Sequence, residues 1–336
     1  MEKKQNLTID DIARDLGVSK TTISRAISGK GRISPATRAR VQEYIQKCNY
    51  RPSAAAKGLA ESRTYNVALV LPKTLFKLDM PFIRKSMGAV CEEAFLQDYN
   101  ILICLSTDDN PAPLLRTLDN RKVDGVILSR TVEGDTLVDL LNQRGIPFAT
   151  MGSLPAEFKG MATVEADHDQ VGGCRAFTMT FLRNNQEKIA LVGKDMNYIV
   201  NQSRVAGFKQ ATKAFGLTES QALIRTGFHN DAECMLAVDQ LISQGVRRFL
   251  AMDDEICLFI LDYLEAKGYH YPEDIQIASL YDHEKLAEHN PPIAALQFDA
   301  AELGRVTCRE LLRFLKNEDY DPTPTMGYRI LMRKIT

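Results

Sequence analysis

Four polar side chains fall inside one six-residue stretch of this 336-residue chain: Lys20, Thr21, Ser24 and Arg25. An ammonium, two hydroxyls and a guanidinium supply the donors and acceptors that read base edges and phosphates. They act together only if a helix projects them to one side, and the residues around them encode that helix. Ile23, Ala26 and Ile27 recur at helical spacing and turn inward. Ser19 stands at the N-cap, where a short side-chain oxygen accepts an orphan backbone N–H. Upstream, Thr8 is placed to cap a first helix whose apolar face is Ile9, Ile12, Ala13 and Leu16. Gly17 stops that helix, because glycine tolerates a left-handed C-terminus, and Val18 fills the corner. Two short helices joined by so tight a turn predict a helix-turn-helix, the second helix entering a DNA major groove. On this reading Lys20, Thr21 and Arg25 face bases. Ser19, Thr22, Ser24 and Arg51 hold phosphates, and Thr8 belongs to the same DNA-facing set.

Charge is distributed to match. Residues 1–62 hold twelve Lys or Arg against six Asp or Glu, a net +6; the remainder holds thirty against thirty-seven, a net −7. A basic head on an acidic body is the footprint of a nucleic-acid module joined to something else. A third helix is predicted from Ser34-Pro35, an N-cap followed by proline at the first helical position, with Val41, Tyr44, Ile45 and Cys48 as its buried face.

The order Thr8, Asp11-Ile12-Ala13, Gly17-Val18-Ser19, Thr22-Ile23-Ser24-Arg25 resembles the opening of LacI/GalR (lactose-repressor) family transcription regulators. Tyr50-Arg51-Pro52 resembles that family's Y-x-P signal, and residues 53–60 its hinge helix. There Leu59 matches the leucine that wedges into the minor groove at the operator centre, an apolar insertion that kinks the duplex. Ser53 and Lys57 stand where the family has Asn and Arg, with Lys57 kept among the DNA-binding residues. Gly58 lowers helix propensity by roughly 1 kcal/mol relative to alanine, so the hinge is expected to order only on DNA.

Beyond residue 65 short apolar runs alternate with helical stretches. Strands are predicted at 66–72, 99–105, 124–128, 146–151, 189–192, 249–252 and 275–279. Helices are predicted at 81–96, 111–120, 134–143, 170–183, 203–215, 232–244 and 255–267. Continuous apolar strands between helices read as parallel sheet buried on both faces. Two such units in succession give two lobes with a cleft at the carboxyl ends of their strands. Asp124-Gly125-Val126-Ile127, Arg204-x-x-Gly207-Phe208 and Pro272-Glu273-Asp274-Ile275 resemble body motifs of the same family. The implied fold is a small all-α helix-turn-helix head (1–48), a hinge helix (49–62) and a two-lobed α/β periplasmic-binding-protein-like (type I) body (63–336). The lobe boundaries expected are 63–163 with 294–322, and 164–293 with 323–336.

The resemblance implies an effector in the cleft. Phe82 matches an aromatic that stacks on it, and Phe228 one that caps it. Arg204 matches a donor into the cleft, and its guanidinium offers five fixed donors. Ser129 and Arg130 follow a strand at its carboxyl end. Asp253 either accepts ligand hydroxyls or caps the helix after it. Tyr281 stands where the family places a sugar-holding acid, unless a one-residue slip restores Asp282. A sugar is the leading effector class; a sugar phosphate, nucleoside or other small polar metabolite is the alternative.

Other classes find little support. There is no phosphate-binding glycine loop, and the five histidines lack metal spacing, so no catalytic residue, metal or cofactor is expected. Seven scattered cysteines without a C-x-x-C pair read as reduced thiols of a cytoplasmic protein. The polar N-terminus shows no secretory signal, which disfavours an exported solute receptor, and no apolar run is long enough to span a membrane. The expected partners are double-stranded operator DNA, a small-molecule effector and a second copy in a homodimer.

Overall fold

The computed structural model describes residues 7–29, 31–48, 50, 58, 61–73, 81–107, 110–182 and 188–333. The chain divides into two compact units, Met1–Thr64 and Tyr65–Thr336.

In the first unit, α1 (Ile9–Leu16), α2 (Lys20–Ser28) and α3 (Pro35–Lys47) are each entered through a side-chain cap from Thr8, Ser19 and Ser34. Thr8 and Asp11 form a reciprocal capping box, satisfying two orphan donors at once. Gly17 closes α1 at φ 63° and Gly29 closes α2 at φ 73°, both left-handed. Ile12, Ala13, Ile23, Ala26 and Val41 form the buried core, with Leu16, Val18, Ile27, Tyr44 and Ile45 packed against it. Cys48, expected inside, is exposed: it is the α3 C-cap, where the helix has already ended.

The second unit holds two six-stranded sheets. Its first half runs β1 (Asn66–Leu71), α4 (Pro81–Leu96), β2 (Asn100–Leu105), α5 (Ala112–Asp119), β3 (Gly125–Leu128), α6 (Thr136–Gln143), β4 (Phe148–Met151) and β5 (Val164–His168). The second half runs α7 (Gln170–Leu182), β6 (Ile189–Val192), α8 (Ile199–Ala214), β7 (Ala222–Arg225), α9 (Asp231–Ser243), β8 (Arg248–Ala251), α10 (Asp254–Ala266), β9 (Gln276–Ser279), α11 (Glu284–Glu288) and β10 (Ala294–Gln297). The chain then returns through α12 (Ala300–Leu315), β11 (Thr325–Met326) and β12 (Arg329–Leu331).

The first sheet has the order β11-β5-β4-β3-β1-β2 and is parallel throughout; the second has the order β12-β10-β9-β8-β6-β7, with β12 alone antiparallel. Central strands are buried on both faces: Val126, Ile127 and Leu128 in one sheet, Phe249, Leu250 and Ala251 in the other.

The lobe boundaries differ from those expected. Val164–His168 pairs with β4 and belongs to the first lobe, Ala294–Gln297 pairs with β9 and belongs to the second, and Thr325–Met326 returns to pair with β5. The chain therefore crosses between lobes at 169, 298–299 and 327–328, at strand ends rather than before them. Helix α8 begins at Ile199, four residues ahead of the expected Ser203.

Candidate functional site

Within the head, Lys20, Thr21, Ser24 and Arg25 are exposed on one side of α2, opposite Ile23 and Ala26 in the core. Three of the other polar residues already have local work. The Thr8 hydroxyl donates to Asp11 Oδ2 at 2.6 Å while the Asp11 N–H donates back to it at 3.3 Å. These bonds from Thr8 hold the Asp11 carboxyl below its usual range. Ser19 Oγ accepts the Thr22 N–H at 3.1 Å and lies 2.9 Å from the Thr22 hydroxyl. Two residues not foreseen from sequence shape the exposed face. Asp10 pairs with the Lys20 ammonium. Gly31, at φ 88°, leaves room for the Arg25 stem, whose Cδ lies 3.0 Å from where a β-carbon would stand. Arg51, Lys57 and Leu59 lie outside the described residues.

In the body, the expected cleft residues collect at the carboxyl ends of strands. Ser129 follows β3, Asp253 follows β8 and Tyr281 follows β9. The Phe82 ring, at the start of α4 in the first lobe, meets the Tyr281 ring of the second lobe edge-on, 5.7 Å apart. Phe82 also approaches His168 at 6.4 Å, and His168 approaches Phe298 at 5.1 Å, so aromatic rings line two of the crossings. Ser129 Oγ and Arg204 Nε are buried without a hydrogen-bond partner, on residues only 6% and 8% exposed. Buried polar atoms are ordinarily satisfied, and leaving one bare costs about 1–3 kcal/mol.

Arg204 extends from α8 with Nη1 donating to Asn201 Oδ1 at 3.2 Å. Its charge reaches Asp254 and Tyr281, where burial and neighbouring carboxylates push both pKa values up. His283 Nδ1 accepts the Lys285 N–H at 3.2 Å and sits 3.9 Å from Asp254 Oδ2. Asp253 Oδ1 accepts the Ile256 N–H at 2.9 Å, so it caps α10. At 281–282, Asp282 is held by Arg333 at 2.6 Å and Gln297 at 3.1 Å, whereas Tyr281 faces Phe82. Phe228 packs on the core of the second lobe. Arg130 departs from its expected part. Its guanidinium donates to the Tyr198 hydroxyl and lies 5.2 Å from the centre of that ring.

A helix-turn-helix head and a two-lobed binding body define a class of ligand-responsive DNA-reading proteins. The profile of bacterial regulatory proteins of the lacI family matches residues 8–53, and that of the periplasmic binding protein-like domain matches residues 178–334. The chain thus joins a lacI-family helix-turn-helix head to a periplasmic-binding-protein-like body. It is 25% identical over 334 residues to catabolite control protein A of Staphylococcus xylosus, covering 98% of this chain and 99% of that one. It is 28% identical over 329 residues to the transcriptional regulator CelR of Thermobifida fusca, covering 96% of each. A solved complex of the regulator CelR with cellobiose superposes with a TM-score of 0.71 at 24% identity, covering 98% of this chain and 100% of that one. Among the described residues no cluster of metal-ligating side chains occurs, and no helix is long and apolar enough to cross a membrane.

Proposed function

We propose that this chain is a dimeric repressor whose operator affinity is set by a small polar effector, a sugar, bound between the lobes of its body. Lys20, Thr21 and Arg25 read base edges in the major groove. Ser24 and Arg51 hold phosphates, Leu59 wedges the minor groove, and Thr8, Ser19 and Thr22 set the pose of the two helices. The observation that carries the effector half is the Phe82–Tyr281 aromatic pair across the lobes, next to which the Arg204 guanidinium, whose charge reaches Tyr281, keeps a bare buried Nε. Hydroxyls satisfy such atoms while the rings cover an apolar face. The cellobiose held by the structurally similar CelR supports the sugar class. A second reading, a planar metabolite such as a nucleoside, is favoured by one feature: a tyrosine ring, not a carboxylate, faces Phe82.

Gel-shift titration of the full chain on DNA flanking its own gene tests the first half. Specific binding is expected, falling steeply with salt as phosphate contacts release counterions; no specific shift at low salt, with or without sugars, refutes it. A thermal-shift screen tests the second half. A ligand at a hundred times its Kd stabilises the fold by about 2.7 kcal/mol, so disaccharides such as cellobiose are expected to raise the melting temperature. Stabilisation by nucleosides alone would install the second reading.

A further inference from the structure

Arg130 sits where a strand end would offer it to the effector, yet its side chain spans the cleft to the opposite lobe. It leaves the carboxyl end of β3 in the first lobe, directly after Ser129, and docks on Tyr198 of the second lobe by a hydrogen bond to the hydroxyl and a stack on the ring. The backbones beneath pair as well. Val132 and Tyr198 form an antiparallel bridge isolated from both sheets. In it the Glu133 N–H donates to Asn197 O at 2.8 Å, and the Ile199 N–H donates to Thr131 O at 3.3 Å. Gln202 adds a longer bond to Glu133 Oε2 at 3.4 Å.

The Ile199 contact has a structural meaning beyond its length. Ile199 is the first residue of α8, and Tyr198 provides no side-chain cap. A helix leaves its first N–H groups unsatisfied unless something outside it accepts them. Here the acceptor for the first of them is a carbonyl of the other lobe, while Tyr198 O accepts the Asn201 and Gln202 N–H groups, so the Ile199 N–H is satisfied only while the lobes are together on this side. The same helix carries Arg204 one and a half turns further on, tied to Asn201. Closure of the cleft and the pose of its guanidinium are thereby joined in one element.

We infer that Tyr198 and Arg130 form an interlobe clasp: Tyr198 is a positioning residue that fastens the cleft shut and, by completing the cap of α8, sets Arg204 toward the ligand. The inference rests on the cleft reading for its use by an effector, but the clasp itself is measurable without one. Opening the lobes removes both backbone bonds together, so the two segments deprotect in concert.

Amide hydrogen exchange of the full chain, free of ligand, tests this in Tyr198→Ala, Tyr198→Phe and Arg130→Ala. The alanine variants, altered in opposite lobes, are each expected to speed exchange about tenfold in both 131–133 and 197–199. Strands 125–128 and 189–192 should keep wild-type rates. Tyr198→Phe keeps the ring beneath the guanidinium but loses the hydroxyl, and is expected in between. Should one alanine variant fail to fold, the other carries the test from its own lobe. Faster exchange confined to the mutated lobe, or no change in either, overturns the clasp. Concerted deprotection in a protein that no sugar or nucleoside stabilises would leave the clasp standing and remove the effector reading instead.

Discussion

Replacing Gly207 with alanine probes the link between sequence motif, packing and site most directly. Gly207 lies on α8 one turn beyond Arg204, against α7. A β-carbon there would stand 2.6 Å from Val171 O, 2.7 Å from Cys174 Cβ and 3.0 Å from Arg175 N. These are backbone atoms and a β-carbon of α7, so no rotamer change relieves the clash. To restore a contact of 3.4 Å from 2.6 Å, α8 must retreat by about 0.8 Å. Overpacking of this kind costs about 1–3 kcal/mol, and rigid partners put Gly207→Ala at the upper end. Alanine's better helix propensity returns about 1 kcal/mol, leaving a net loss near 2 kcal/mol. At roughly 2–4 °C per kcal/mol for a domain of this size, the melting temperature should fall by about 4–8 °C. Gly88→Ala, on α4 with nothing within 4 Å of the new carbon, is the control and should be neutral or slightly stabilising. Calorimetry of the three proteins decides the matter. A Gly207→Ala protein as stable as wild type would refute the close approach of α7 and α8. The packing reason for the glycine of the Arg204-x-x-Gly207-Phe208 motif would fall with it. If the approach is real, effector affinity falls as well, because the displaced helix carries Arg204.

In the head, Arg25→Ala should cost about 1–3 kcal/mol of operator affinity and relax sequence preference. Gly31→Ala, which presses on the Arg25 stem, should give a milder loss of the same kind; a Gly31→Ala head that binds the operator as wild type would refute the cradle. The Asp11 carboxyl, held low by Thr8, is favoured in its ionised form by folding. Its contribution is therefore present above the unfolded value of 3.8 and lost as pH falls through the lower folded value. Protection of the 9–16 amides, corrected for intrinsic exchange, should weaken on acidification in wild type, and this component should vanish in Asp11→Asn. At the body site, Tyr281→Ala should weaken effector binding at little cost to the fold. Asp282→Ala, which strands Arg333, should instead lower the melting temperature. The reverse pattern in paired binding and thermal-shift measurements would show that the register at 281–282 is misassigned.

What can be read in the sequence follows from how local its causes are. Capping is local: Thr8, Ser19 and Ser34 act on N–H groups three residues ahead, and their helices begin where the residue types say. Apolar runs in central strands are local too, and β1, β3 and β8 are legible within a residue or two. The lobe boundaries are not, because membership of a sheet is decided by pairing. Val164–His168 is short and ends in Asp-His, and only its hydrogen bonds to β4 assign it to the first lobe. Helix α8 begins four residues before its pattern predicts for a related reason: its first N–H finds its acceptor more than sixty residues away, in another lobe.

The same distinction separates site residues by type. A strand end places Ser129 and a motif places Arg204, and burial leaves one polar atom bare on each. Tyr281 and Asp282 are adjacent, so sequence alone leaves either one available to the cleft. What distinguishes them in the fold is Arg333, a residue from the far end of the chain that pairs with Asp282. Arg130 is the complementary case. Its position at a strand end is informative, yet its partner Tyr198 carries no signal in the local pattern. A guanidinium at a strand end is equally fit to bind a ligand or to clasp the opposite lobe, and the choice depends on what the other lobe presents. In a two-lobed protein the residues that bind the ligand and those that close over it therefore look alike in sequence. They separate only when both lobes are in view.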